Sequence, residues 1–150
     1  MTTSLSLAIA FLVGALITVQ VGANTRLKEA FGEVLPAVIV SSSLGVLILT
    51  AVALIGRASW PSAATLAGAG VPWWGWLGGA LGAVYAIATV LLARTLGAAT
   101  LTALVVTGQL VCSVALDHFG AVGFTEHAVS VGRVAGCLLL IGGIVLIWRF

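Results

Sequence analysis

Five apolar runs, each about as long as a bilayer is thick, leave this chain few ways to fold. Charged and turn-forming residues separate them, and they cover approximately residues 5–22, 34–55, 72–93, 98–116 and 129–148. A helix rises 1.5 Å per residue, so about 20 residues cross a hydrocarbon core of roughly 30 Å. The first run stops before Asn24, Arg26, Lys28 and Glu29, the second at Gly56 and Arg57, and the third at Arg94. Asp117 and His118 close the fourth, and Trp148 and Arg149 the last. The predicted fold class is all-α integral membrane, a single transmembrane domain over residues 1–150. Between residues 57 and 71, Ser, Pro, Ala and Gly suggest an interfacial loop.

Composition points the same way. The 150 residues are 61% hydrophobic and 7% charged, and the mean hydropathy is +1.27. Soluble domains carry about 25% charged residues, because polar atoms must cover their exterior. Six basic and four acidic side chains cannot do that. A formal charge of +2, scattered along the chain, gives nucleic acid nothing to bind. The N-terminus lacks the basic region and small-residue cleavage site of a signal peptide. Cys112 and Cys137 lie inside apolar runs and read as buried small hydrophobes rather than a disulfide or metal pair.

Five spans place the termini on opposite sides. Arg26, Lys28, Arg94 and Arg149 then share one side, and Arg57 and Arg133 the other. Positive charge collects in the cytoplasm, so the N-terminus is expected outside and the C-terminus inside. The bias is small, and a protein inserting in both orientations fits it too. Trp60, Trp73, Trp74 and Trp76 cluster around the start of the third run. Indole rings favour the membrane–water interface, so they read as anchors, with an aromatic wall for a ligand as the alternative.

Small residues recur at four-residue spacing, where they let helix backbones approach. Gly14, Thr18 and Gly22 form one such stripe. Gly75 and Gly79 belong to a second, Gly78 and Gly82 to a third, and Gly132 and Gly136 to a fourth. They are the expected helix-packing surfaces. Hydrogen-bonding side chains placed where water is scarce say more. Gln20 and Asn24 share a face roughly opposite the first glycine stripe, at about 100° per residue. Thr102, Gln109 and Ser113 share a face of the fourth run, Ser41, Ser42 and Ser43 interrupt the second, and Tyr85 lies near the middle of the third. An unpaired amide in hydrocarbon is costly, so each must meet another helix, water or a ligand. Gln20 and Gln109 are the leading candidates for substrate contact, with Asn24 and Tyr85 secondary. Staples between helices are the competing reading.

Asp117 and His118 stand at the outer end of the fourth run, with Glu126 and His127 in the same loop. Gate or coupling residues are one reading of Asp117 and His118; solvated loop residues are the other, and no metal site is expected. There is no G-x-S-x-G, H-E-x-x-H or P-loop, and no nucleophile with a base beside it, so neither enzyme activity nor a cofactor is expected.

Several stretches taken together resemble the bacterial YdcZ-type family of the drug/metabolite transporter superfamily. They are Val19-Gln20-Val21-Gly22-Ala23-Asn24, Pro72-Trp73-Trp74-Gly75-Trp76-Leu77-Gly78-Gly79-Ala80-Leu81-Gly82, and Gly108-Gln109-Leu110 leading to Asp117-His118-Phe119-Gly120. The segment from Gly132-Arg133 to Gly143 also fits. The resemblance covers essentially the whole chain. It implies one inverted-repeat half of a ten-helix transporter, in the bacterial inner membrane. It also implies an antiparallel homodimer, or a heterodimer with a paralogue, moving a small solute by alternating access. Small multidrug exporters of the same superfamily carry a glutamate in the first helix; residues 10–18 here contain no acid. A polar uncharged, zwitterionic or heteroaromatic metabolite therefore suits the site better than a bare cation. The alternatives are a proton-coupled exporter of small organic cations and a non-transporting scaffold or regulatory subunit.

Overall fold

The computed structural model describes residues 3–150, apart from the side chain of Ala67. It contains helix α1 (Thr3–Phe31), α2 (Val34–Ile55), a short α3 (Ala63–Gly68), a 3-10 turn (Trp73–Leu77), α4 (Gly78–Phe119) and α5 (Val131–Arg149). No strand occurs among the described residues. α1, α2 and α5 are each long and apolar enough to cross a membrane, as is the stretch from the 3-10 turn through α4. At 1.5 Å per residue the 42 residues of α4 would extend about 60 Å, twice the hydrocarbon thickness. The helix breaks once, at Gly97, whose φ of 74° and ψ of 161° are open only to glycine. Residues 78–96 and 98–119 are therefore separate crossings. The protein is an all-α membrane protein of five spanning helices.

Two boundaries differ from expectation for physical reasons. α1 does not end near Gly22 but continues through Asn24, Arg26 and Lys28 to Phe31. Arg and Lys are good helix formers, and charge ends a hydrocarbon span without ending a helix. Thr25 Oγ1 donates to the Val21 carbonyl at 2.8 Å, and Arg26 pairs with Glu29 one turn on. The stop is Gly32, in a left-handed conformation, with its N–H on the Lys28 carbonyl at 2.9 Å. The second difference is at the Trp cluster. Pro72 accepts from Gly75 N–H at 2.9 Å and opens a 3-10 turn, so regular helix begins at Gly78.

Ser41, Ser42 and Ser43 leave α2 unbroken. At its end Arg57 takes φ 50°; Ala58 N–H reaches the Ala53 carbonyl at 2.8 Å and Arg57 N–H that of Leu54 at 3.2 Å. This is a Schellman closure. In the following loop Ser62 caps α3, accepting from Thr65 N–H at 3.1 Å. Trp60, Trp73, Trp74 and Trp76 are exposed, as interfacial anchors are.

The chain divides into two compact units, Gln20–Leu91 and Met1–Val19 with Leu92–Phe150. In the first, Asn24, Ala37, Val38, Thr89 and Val90 are buried. In the second, Thr100, Leu101 and Thr107 are buried. Large apolar side chains such as Phe11, Leu49, Leu81 and Leu139 lie exposed along the helices, as lipid-facing residues do. The cysteines do not both bury as expected: Cys112 is exposed and Cys137 half-buried, and both are free.

Candidate functional site

The extension of α1 places Gln20 and Asn24 on continuous helix in the unit Gln20–Leu91. Gln20 is exposed; Asn24 is 5% exposed, and its Oδ1 has no hydrogen-bond partner. A buried amide oxygen without a donor costs about 1–3 kcal/mol, so a residue kept in that state marks a place where a donor can arrive. Tyr85 belongs to the same unit and is half-buried. Its backbone carbonyl takes the Thr89 hydroxyl at 2.9 Å, which satisfies the buried threonine within its own helix.

Gln109 lies in the other unit, near the middle of residues 98–119, and is exposed together with Ser113; Thr102 on the same face is half-buried. Each unit contains a shallow cleft between its helices. One, about 440 Å³, runs between α2 and α4 past Leu35, Val38, Ser42, Ser43, Ala83 and Ile87. The other, about 350 Å³, lies between α4 and α5 and is apolar except for Thr100.

Around Asp117 the loop is built residue by residue. The Asp117 carbonyl accepts from His127 N–H at 2.7 Å and from Gly120 N–H at 3.3 Å. Left-handed Gly120, Val122 and Gly123 provide the bends. The Asp117 carboxylate accepts from the Arg133 guanidinium at 3.2 Å, and the same nitrogen lies 3.4 Å from the His127 carbonyl. Ser130 caps α5 by accepting from Arg133 N–H at 3.3 Å. His118 Nδ1 accepts from Val129 N–H at 3.4 Å, which leaves its proton on Nε2, while His127 Nδ1 lies 3.0 Å from the Thr125 carbonyl and donates to it. Asp117 and His118 thus hold one loop together from two sides. No group of three His, Cys, Asp or Glu side chains is placed to hold a metal among the described residues.

Arg133 is the member that sequence reasoning missed as a partner of Asp117. The available signal was a pair of opposite charges at the two mouths of one short loop. The packing glycines are distributed differently. A Cβ added at Gly14, Gly22, Gly78, Gly79, Gly82 or Gly136 would meet no atom within 4 Å. Gly132 would meet only Ser130 Oγ, at 3.9 Å, and Gly75 would strike Val71 Cγ1 at 2.8 Å. Apart from the tight Gly75 turn, these small-residue positions border open space.

No solved structure matches the fold. The Escherichia coli (strain K12) protein named "Inner membrane protein YdcZ" is 28% identical over 154 residues, covering 99% of this chain and 98% of that protein. The family described as "Putative inner membrane exporter, YdcZ" matches residues 5–146. With five spanning helices matched along nearly their whole length, this chain is a multi-pass inner-membrane protein of the transporter type and belongs to the YdcZ family.

Proposed function

We propose that the protein is a secondary transporter. It moves a small polar, zwitterionic or heteroaromatic metabolite by alternating access, as an antiparallel dimer, with a homodimer the simplest form. The observation that carries the reading is Asn24, buried in the unit Gln20–Leu91 with an acceptor oxygen that no donor reaches. A solute bringing N–H or O–H groups supplies that donor. Gln20 and Tyr85, in the same unit, add further donors and acceptors. None of these side chains carries charge, so a bare cation would be desolvated there without compensation.

A dimer is supported by Gln20 and Gln109, whose amides lie exposed on apolar helices of a single protomer. Lipid cannot satisfy them, and a second copy enclosing a shared polar hollow can. Asp117, tied to Arg133, serves as the outer gate with His118, and the N-terminus lies outside. The test is solute flux in proteoliposomes with Gln20→Ala, Asn24→Leu and Gln109→Ala. Loss of flux in variants that still insert and dimerise supports the site. Unchanged flux in all three removes it, and no flux from the unmodified protein under any gradient favours a scaffold.

A further inference from the structure

Residues 98–119 present a face that lipid alone does not account for. Gln109 stands at its centre. At about 100° per residue, Thr102, Val105, Val106, Cys112, Ser113 and Leu116 fall within about 60° of it. Val106, Gln109, Cys112 and Ser113 are exposed, and Thr102, Val105 and Leu116 half-buried. Buried Thr100 and Thr107 point the opposite way, so this segment already packs through its other side. Gln109 lies about 16 Å from either end of the segment, the depth at which no water or headgroup reaches it. Its amide meets no hydrogen-bond partner among the described residues. On α5, by contrast, the shallow hollow past Ala135, Leu138, Leu139, Gly142, Gly143 and Leu146 has only apolar side chains around it, and lipid satisfies it.

We infer that Gln109 faces Gln109 of a second, oppositely inserted copy of this chain, across a two-fold axis at the membrane midplane. This rests on the antiparallel reading above and assigns its seam. In a two-fold contact residue i meets j and j meets i, so only a residue on the axis meets itself. When both copies must keep their apolar spans at one depth, the axis lies at mid-depth, where Gln109 is. A primary amide is its own best complement: its N–H₂ donates to the partner's carbonyl while its carbonyl accepts in return.

The geometry makes a cysteine test specific. Val105 lies four residues before Gln109 and Cys112 three after, on the same flank of the face. An antiparallel seam centred on Gln109 brings Val105 of one copy within about one residue rise of Cys112 of the other, near enough for a disulfide. It holds the two Cys112 thiols about 9 Å apart along the helices, too far for one. Membranes are oxidised with copper phenanthroline after Cys137→Ser. The expected result is a strong dimer band for V105C with Cys112 retained, and little for Cys112 alone or for V105C with C112S. Adding Gln109→Ala lowers the V105C–Cys112 yield about tenfold, the effect of losing interhelical amide bonds of ordinary strength. A Cys112–Cys112 band as strong as the mixed one overturns the antiparallel seam, and a yield unmoved by Gln109→Ala overturns the amide pair. Co-purification of two differently tagged copies separates the failures. Copies that associate without the mixed cross-link sink this seam and leave the dimeric transporter standing, whereas copies that never associate sink both.

Discussion

The Arg133 guanidinium holds the Asp117 carboxylate at 3.2 Å across sixteen residues of sequence, joining the last turn of α4 to the first turn of α5. The same nitrogen lies 3.4 Å from the His127 carbonyl, so one side chain fastens both ends of the loop. The Arg133 and Asp117 side chains are 36% and 27% exposed, which weakens the pair by solvent screening. Asp117→Asn or Arg133→Gln should each lower stability by about 1 kcal/mol, with the double variant costing clearly less than the sum. Thermal unfolding of the four proteins in one detergent measures this coupling.

Asn24 should show stability and activity moving in opposite directions. Its Oδ1 is buried without a donor, so a leucine of similar size removes a desolvation cost. Asn24→Leu should unfold at a temperature equal to or above that of the unmodified protein, while solute flux falls. A variant losing both would make Asn24 a structural residue.

Gly97 carries the only non-helical torsions within α4. Alanine there must enter a region reserved for glycine, at a cost of about 1–3 kcal/mol. Open space surrounds the position, so the penalty is backbone strain and not collision. Gly97→Ala should lower the yield of correctly inserted protein and its unfolding temperature. Gly79→Ala, in regular helix with equally open surroundings, should leave single-chain stability nearly unchanged.

Much of this was legible from residues alone, because hydrocarbon thickness and the rarity of charge fix where helices cross. The bounds of α2 follow directly from its apolar run, and Gly56 and Arg57 end it as their chemistry suggests. The end of α1 was not legible. Arg26 and Lys28 stop hydrophobicity, but nothing in their chemistry stops a helix, and the break waits for Gly32. Likewise the gap between the third and fourth crossings was read from Arg94, whereas the backbone turns on Gly97 and Arg94 stays helical. The Asp117–Arg133 pair had only opposite charges at the two ends of one loop to signal it, because loop closure and not helical spacing creates the contact. Asn24 was visible as a polar residue at the edge of a span; that burial strips one side of its amide of partners required the packed helices.

The placement of the tryptophans turns the protein into its own optical gauge of orientation. Four of its five indoles, at positions 60, 73, 74 and 76, are exposed around the stretch linking the second and third crossings, and the fifth, Trp148, comes three crossings later, at the end of the last one. An impermeant quencher added to sealed right-side-out vesicles would then extinguish about four-fifths or about one-fifth of the accessible emission for a uniformly inserted population. An equal mixture of the two insertions gives about one half. The unlabelled chain thereby reports the ratio of its two orientations, which an antiparallel pair of identical copies requires to be even.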